Sequence, residues 1–183
     1  MKSLSCCKLT AKKRWRSGWI TLNTALSART EEIQVQYIRK ATVQDASRLA
    51  EILVFTKRMH YRPIFQNDKV SFGQIQVLPL AQEFIANTEK LENIWVYDDE
   101  FVKGLIHIEG DWIQELYVDY FFQNKGIGAM LIAFAIRKFD VRHLYVLEKN
   151  TRAIRFYQGF GFSLTQERRI QEGTTEFIVK MDR

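Results

Sequence analysis

Apolar and polar residues change period several times along this chain, and each change marks an element. A short extended run, Tyr37 to Lys40, precedes Thr42, a residue suited to cap a helix, and Ala46, Leu49, Ala50 and Leu53 then recur at helical spacing. Pro63 sets the latest end expected for that helix, because proline lacks an N–H and crowds the carbonyl four residues back. Pro79 suits the first turn of a second helix that carries Leu80, Phe84 and Ile85 on one side and runs to about Lys90. Ile94 to Tyr97, Phe101 to Glu109 and Trp112 to Val118 read as an antiparallel meander with turns at Asp98-Asp99 and Gly110-Asp111. A helix from about Gly126 to Lys138, a strand Leu144 to Leu147, a helix Asn150 to Gln158 and strands around Phe162 to Gln166 and Thr175 to Met181 complete the chain. The pattern predicts a mixed sheet with helices packed on it, and no internal repeat is visible.

Between the apolar strand ending Leu116-Tyr117-Val118 and the apolar helix Met130 to Ile136 lies Gln123-Asn124-Lys125-Gly126-Ile127-Gly128. Strand, glycine turn and helix start together build an anion cradle. Gly126 and Gly128 have no Cβ to hold a ligand away, and the unpaired N–H groups and positive dipole end of a helix favour phosphate. A dinucleotide fingerprint would need a third glycine where Leu131 stands, and a phosphate-binding Gly-Lys-Ser/Thr occurs nowhere. The first expectation is therefore a cofactor bearing pyrophosphate that is not a dinucleotide; the alternative, that the two glycines merely let a loop turn tightly, is overturned only by a second, independent signal.

Downstream, Asn150-Thr151-Arg152-Ala153-Ile154-Arg155-Phe156-Tyr157 is followed by Gly159-Phe160-Gly161-Phe162. Together the two segments resemble the GNAT N-acetyltransferase superfamily. Gln123, Gly126 and Gly128 match its Gln/Arg-x-x-Gly-x-Gly signature. Asn150, Ala153, Phe156, Tyr157, Gly161 and Phe162 match its Asn-x-x-Ala-x-x-Phe-Tyr signature and following Gly-Phe pair. The resemblance runs from Tyr37 to Asp182. It implies an α/β (α+β) fold: a mixed, mostly antiparallel sheet of about seven strands with a splayed pair, flanked by about four helices. It also implies acetyl-CoA as the cosubstrate, its pantetheine arm lying between strands Trp112–Val118 and Leu144–Leu147 and pairing with backbone of Leu116, Tyr117 and Val118. The diphosphate would fall on the segment Gln123, Asn124, Lys125, Gly126, Ile127, Gly128, Ala129, with Asn150 beside it.

The implied reaction is direct attack of a primary amine on the thioester through a tetrahedral intermediate, with a small-molecule amine as the leading acceptor and a peptide or protein amine second. Tyr157 occupies the place of the family's leaving-group acid. A phenol with an ordinary pKa near ~10 can protonate a departing thiolate. An oxyanion donor is expected among the backbone N–H groups of Leu116 to Val118. Glu115 shares a strand face with Tyr117 and is the candidate base; His107 and Glu109 are weaker ones, and water is another. Tyr145 stands where some relatives place an acidic base five residues before the motif asparagine, so that base cannot be carried over. Asp119-Tyr120-Phe121-Phe122 replaces a proline common after the strand, Phe121 and Phe122 being read as packing the turn, with contact to the cofactor as the alternative. Lys125 is a phosphate partner or a solvated lysine, and Asn150 a helix cap, a cofactor contact or both. Met59, His60, Tyr61, Phe65 and Trp112 are read as acceptor lining or ordinary core. A non-catalytic acyl-CoA-binding module is the alternative from another class, and the intact Tyr157 weighs against it.

Composition changes the picture at one end. Residues 1–36 hold seven basic and two acidic side chains, whereas the remaining 20 basic and 19 acidic nearly cancel, so the net charge of +6 belongs to the tail. We therefore expect a basic, poorly ordered extension at 1–36, an acetyltransferase domain at 37–183, and no nucleic-acid binding through that domain. Both cysteines, Cys6 and Cys7, lie in the extension, which excludes thiol catalysis, a zinc knuckle and a disulfide framework for the domain. His60, His107 and His143 form no recognisable ligand spacing, so no metal site is expected. The run Met130 to Ile136 is too short to span a bilayer and no signal-peptide pattern opens the chain, so a cytoplasmic protein without membrane contact is expected, a homodimer being left open.

Overall fold

A computed structural model describes residues 36–183. The predicted basic extension and its two cysteines therefore lie outside the described residues, apart from Gln36. The strands are β1 (Ile38–Lys40), β2 (Ile94–Asp99), β3 (Phe101–Glu109), β4 (Trp112–Val118), β5 (His143–Leu147), β6 (Ser163–Ile170) and β7 (Phe177–Asp182). The helices are α1 (Ala46–Phe65), α2 (Val77–Ala86), the short α3 (Thr88–Glu92), α4 (Ile127–Phe139) and α5 (Thr151–Gln158). One seven-stranded sheet has the order β1-β2-β3-β4-β5-β7-β6, antiparallel throughout except for the parallel pair β4–β5.

Each face of the sheet has its own apolar layer. On one, Leu49 and Leu53 of α1 and Phe84 of α2 close over Val96, Leu105 and Tyr117. On the other, Leu131, Ile132 and Ala135 of α4 pack on Ile106, Ile113, Leu144 and Met181, with Tyr157 and Phe162 at the α5 end. Fully burying each such leucine or isoleucine is worth about 1.5–3 kcal/mol. The corner between β1 and α1 is polar. The Asp45 carboxylate accepts the Thr42 N–H at 2.8 Å and both Arg39 Nη groups at 2.8 Å, while Arg39 Nε donates to Asp98 at 2.8 Å. The Arg39 contacts, with those from Thr42, hold the Asp45 carboxyl below its ordinary range.

The predicted elements are present, with boundaries corrected where local chemistry decides them. Helix α1 continues past Pro63 to Phe65. The missing proline N–H would have bonded to Met59, an exposed position whose carbonyl can turn to water, and Gln66 ends the helix with φ 49. The predicted second helix divides at Asn87, whose side chain accepts the Lys90 N–H and starts α3. The first hairpin turns on Glu100 at φ 70, so Asp98 and Asp99 belong to β2. β6 extends to Ile170, because a register shift between Leu164 and Arg168 lets pairing with β7 resume after an irregularity.

Candidate active site

The feature that creates the site is a divergence of strands. β4 and β5 pair only at Trp112↔His143 and Ile113↔Leu144, after which no pairing joins them. The remaining parts of both strands, with the loop and helix starts beyond their C-terminal ends, line one cavity of about 760 Å³. Register explains which groups face the gap. The Asp119 N–H bonds to the Lys103 carbonyl of the β3 side at 2.9 Å, and antiparallel bonding alternates, so Tyr117 turns its backbone to β3 while Leu116 and Val118 turn theirs to the gap. Of the three backbone positions expected to receive pantetheine, Tyr117 reaches the cavity through its ring instead. The Val118 carbonyl is already bonded to Gln123 Nε2 at 3.1 Å.

A bulge at Gln114 sets the side-chain faces. His107 pairs with Glu115 but Ile108 pairs with Ile113, so one extra residue is inserted and the alternation shifts. Ile113, Leu116 and Val118 thereby join the α4 layer, whereas Glu115 and Tyr117 look toward α1. There Lys57 Nζ meets Glu115 Oε1 at 3.1 Å and lies 5.5 Å from the Tyr117 ring centre. The hydroxyls of Tyr61 and Tyr117 are 3.1 Å apart. Burial raises both phenols above their ordinary value, Tyr117 strongly, so both are neutral donors near neutral pH.

The cradle forms as its glycines allow. Asn124 has φ 61 and Gly126 φ 83, two left-handed residues that swing the chain into α4. The first intrahelical bond there runs from the Met130 N–H to the Gly126 carbonyl at 3.0 Å, leaving the amides of Ile127, Gly128 and Ala129 at the helix mouth. A Cβ on Gly128 would sit 3.5 Å from Phe156, an ordinary contact, so protein packing alone does not demand glycine there. Asn150 caps α5, its Oδ1 accepting the Ala153 N–H at 3.1 Å, and it also lines the cavity. Lys125 does not line it; its ammonium lies 4.9 Å from the Phe122 ring centre.

Tyr157 of α5 is nearly buried, lines the cavity and packs edge-on against Phe156 and Phe162, while its hydroxyl makes no hydrogen bond to the described protein. Burial first, and nearby Tyr61 second, push the phenol well above its ordinary value of 10. His107 is buried outside the cavity lining, with Nε2 3.2 Å from Glu109 but at an angle that makes no hydrogen bond. Burial lowers its pKa. Among the acceptor candidates, His60, Tyr61 and Phe65 line the cavity, whereas Met59 is exposed and Trp112 stacks on Tyr145 at 5.5 Å. Phe121 stacks on Phe55, and Phe122 packs on Phe101 and reaches the cavity.

Two residues and one contact escaped sequence reasoning. Arg152 Nη2 donates to Asn124 Oδ1 at 3.0 Å, setting a guanidinium beside the cradle; its place inside the second motif was the available signal. Gln123 Nε2 lies 3.1 Å from His60 Nε2, joining the cradle loop to α1, and the His60 pKa is lowered by burial and then by Arg152. Lys57 comes to Glu115 from 58 residues away, a pairing without a sequence signal.

Residues 90–164 match the family model described as an acetyltransferase (GNAT) domain. Over that segment the chain is similar to the GNAT family. It is 24% identical over 117 residues to a probable spermine N(1)-acetyltransferase of Bacillus subtilis subsp. natto (strain BEST195), covering 59% of this chain and 63% of that one. It is 30% identical over 88 residues to the peptidyl-lysine N-acetyltransferase YjaB of Salmonella typhimurium (strain LT2), covering 48% and 54%. The chain thus spans less than two thirds of the length of these curated relatives. The GNAT fold is shared with the crystal structure of PaiA N-acetyltransferase from Thermoplasma acidophilum in complex with coenzyme A, at TM-score 0.60 and 20% identity over 80% of this chain and 98% of that one. Among the described residues, no helix is long and apolar enough to cross a membrane, and no cluster of His, Cys, Asp or Glu could hold a metal ion.

Proposed function

We propose that the chain transfers the acetyl group of acetyl-CoA to a primary amine of a small molecule. The observation that carries this reading is the continuity of one cavity from the α4 mouth, along the open β4–β5 seam, to the unbonded hydroxyl of Tyr157. The residues fit the cosubstrate in each part. The amides of Ile127, Gly128 and Ala129 and the Arg152 guanidinium suit a diphosphate, and the gap-facing backbone of Leu116 and Val118 suits an amide-bearing arm. Relatives named for spermine and for peptidyl-lysine both act on amines, which supports an amine acceptor here.

In this reading the acceptor nitrogen first bonds the acetyl carbon, and the carbon–sulfur bond of the resulting tetrahedral intermediate then breaks. Tyr157 gives its proton to the departing sulfur, and its raised pKa keeps that proton in place until then. The proton lost by the nitrogen passes to Glu115, which Lys57 positions on the acceptor side. An N–H of the gap-facing β4 backbone stabilises the negative oxygen that develops between the two events.

The test is release of free CoA from acetyl-CoA with a panel of small amines and lysine peptides, read beside thermal shift. Acetyl-CoA should raise the Tm, and at least one small amine should accelerate CoA release. A thermal shift without accelerated release by any amine would instead indicate a binding module, and acceleration by peptides alone would move the acceptor to a peptide amine. Residues 37–183 should suffice: removing 1–36 should leave both readouts unchanged.

A further inference from the structure

Resting on that reading, we infer that the acceptor carries a carboxylate as well as its amine, and that Arg169 is the residue that recognises it. The charged residues lining the cavity are Lys57, Glu115, Arg152, Arg169 and Glu172. Lys57 and Glu115 neutralise each other at 3.1 Å, and Arg152 is held at the cradle end by Asn124. Arg169 and Glu172 remain. Arg169 pairs in register with Ile178 of β7, beside Leu147 of β5, so its side chain rises from the sheet face that carries Leu147 and Tyr145. Its guanidinium lies 4.0 Å from the Tyr145 ring centre, and Tyr145 stacks in turn on Trp112. Among the described residues Arg169 has no carboxylate partner.

A guanidinium placed over an aromatic ring is attracted to the ring face and keeps N–H donors available for bidentate capture of a carboxylate. Arg169 and Glu172 are both exposed, but Glu172, in the connection between β6 and β7, has no comparable ring contact. A polyamine would bring further positive charges and find only that one unpaired carboxylate. An amine with a carboxylate instead meets the Arg169 guanidinium, with Ile178 nearby for an aliphatic portion. The chemistry thus favours an amino-acid-like acceptor over the polyamine of the 24% relative.

The test compares amino acids, each beside its own carboxamide, and spermidine, with kcat/KM corrected for the fraction of neutral amine. Wild type should prefer the carboxylate over the carboxamide by about tenfold or more, the scale of a charge-assisted bidentate contact. Arg169→Gln should bring that ratio close to one, Arg169→Lys should retain part of it, and Arg169→Glu should shift preference toward spermidine. Equal or better turnover of carboxamides or spermidine by wild type would overturn the inference while leaving acetyl transfer intact. Loss of the acetyl-CoA thermal shift in Arg169→Gln would put the arginine on the cosubstrate and overturn it too. A thermal shift with no turnover of any amine would overturn both this inference and the proposed activity.

Discussion

Tyr157→Phe separates chemistry from architecture because the hydroxyl has no hydrogen-bond partner among the described residues. The ring fills the junction of α5 with Phe156 and Phe162, and phenylalanine keeps that ring. No buried group is orphaned by removing the oxygen, so stability should change by less than about 1 kcal/mol and acetyl-CoA should still raise the Tm. A general acid contributes about 10²–10⁴ in rate, which corresponds to about 2.7–5.5 kcal/mol in the barrier. Turnover should therefore fall by that factor with little change in KM for acetyl-CoA, measured as thiol release at saturating amine. The raised phenol pKa adds a second signature: Tyr157 stays protonated as pH rises through 10, so it should impose no alkaline loss of activity below that pH. A variant within about threefold of wild type would refute the assignment, since water cannot supply the missing factor under the general-acid argument.

The two cradle glycines should respond differently. Gly126→Ala strains a φ of 83 and should lower stability by about 1–2 kcal/mol, whereas Gly128→Ala makes only an ordinary 3.5 Å contact and should leave the Tm nearly unchanged while raising the KM for acetyl-CoA. Equal effects on Tm would contradict this division. Arg48 binds Asp119 at 2.5 Å and the Val102 carbonyl at 2.9 Å, and the nearly buried Asp119 also holds the Phe121 N–H. Arg48→Met should cost about 1–3 kcal/mol by thermal denaturation, with part recovered in Arg48→Met/Asp119→Asn; full additivity in that cycle would refute the coupling. For His60 and His107 the folded pKa lies below the ordinary 6.5, so the unfolded chain binds more protons and stability is lost as pH falls from about 6.5 toward the folded values. Asp45, also depressed, adds its loss only as pH falls below the ordinary 3.8. A Tm flat between pH 7 and 5 would refute the histidine contribution.

Local chemistry made the element order legible in the sequence. Glycine turns, caps and the alternation of apolar residues act over a few positions, so the cradle, the Asn150 cap, the meander and the place of Tyr157 could be read directly. Proline and turn residues bias a boundary without fixing it, which is why α1 passes Pro63 and the first hairpin turns on Glu100. Only the tertiary structure decided what faces the gap. The Gln114 bulge moves Glu115 and Tyr117 to the α1 side, and register gives Leu116 and Val118, rather than Tyr117, to the seam. Lys57 reaches Glu115 and Arg169 reaches Tyr145 across strands or helices distant in sequence. Such contacts depend on register and twist summed over the whole sheet, and no local run of residues encodes them.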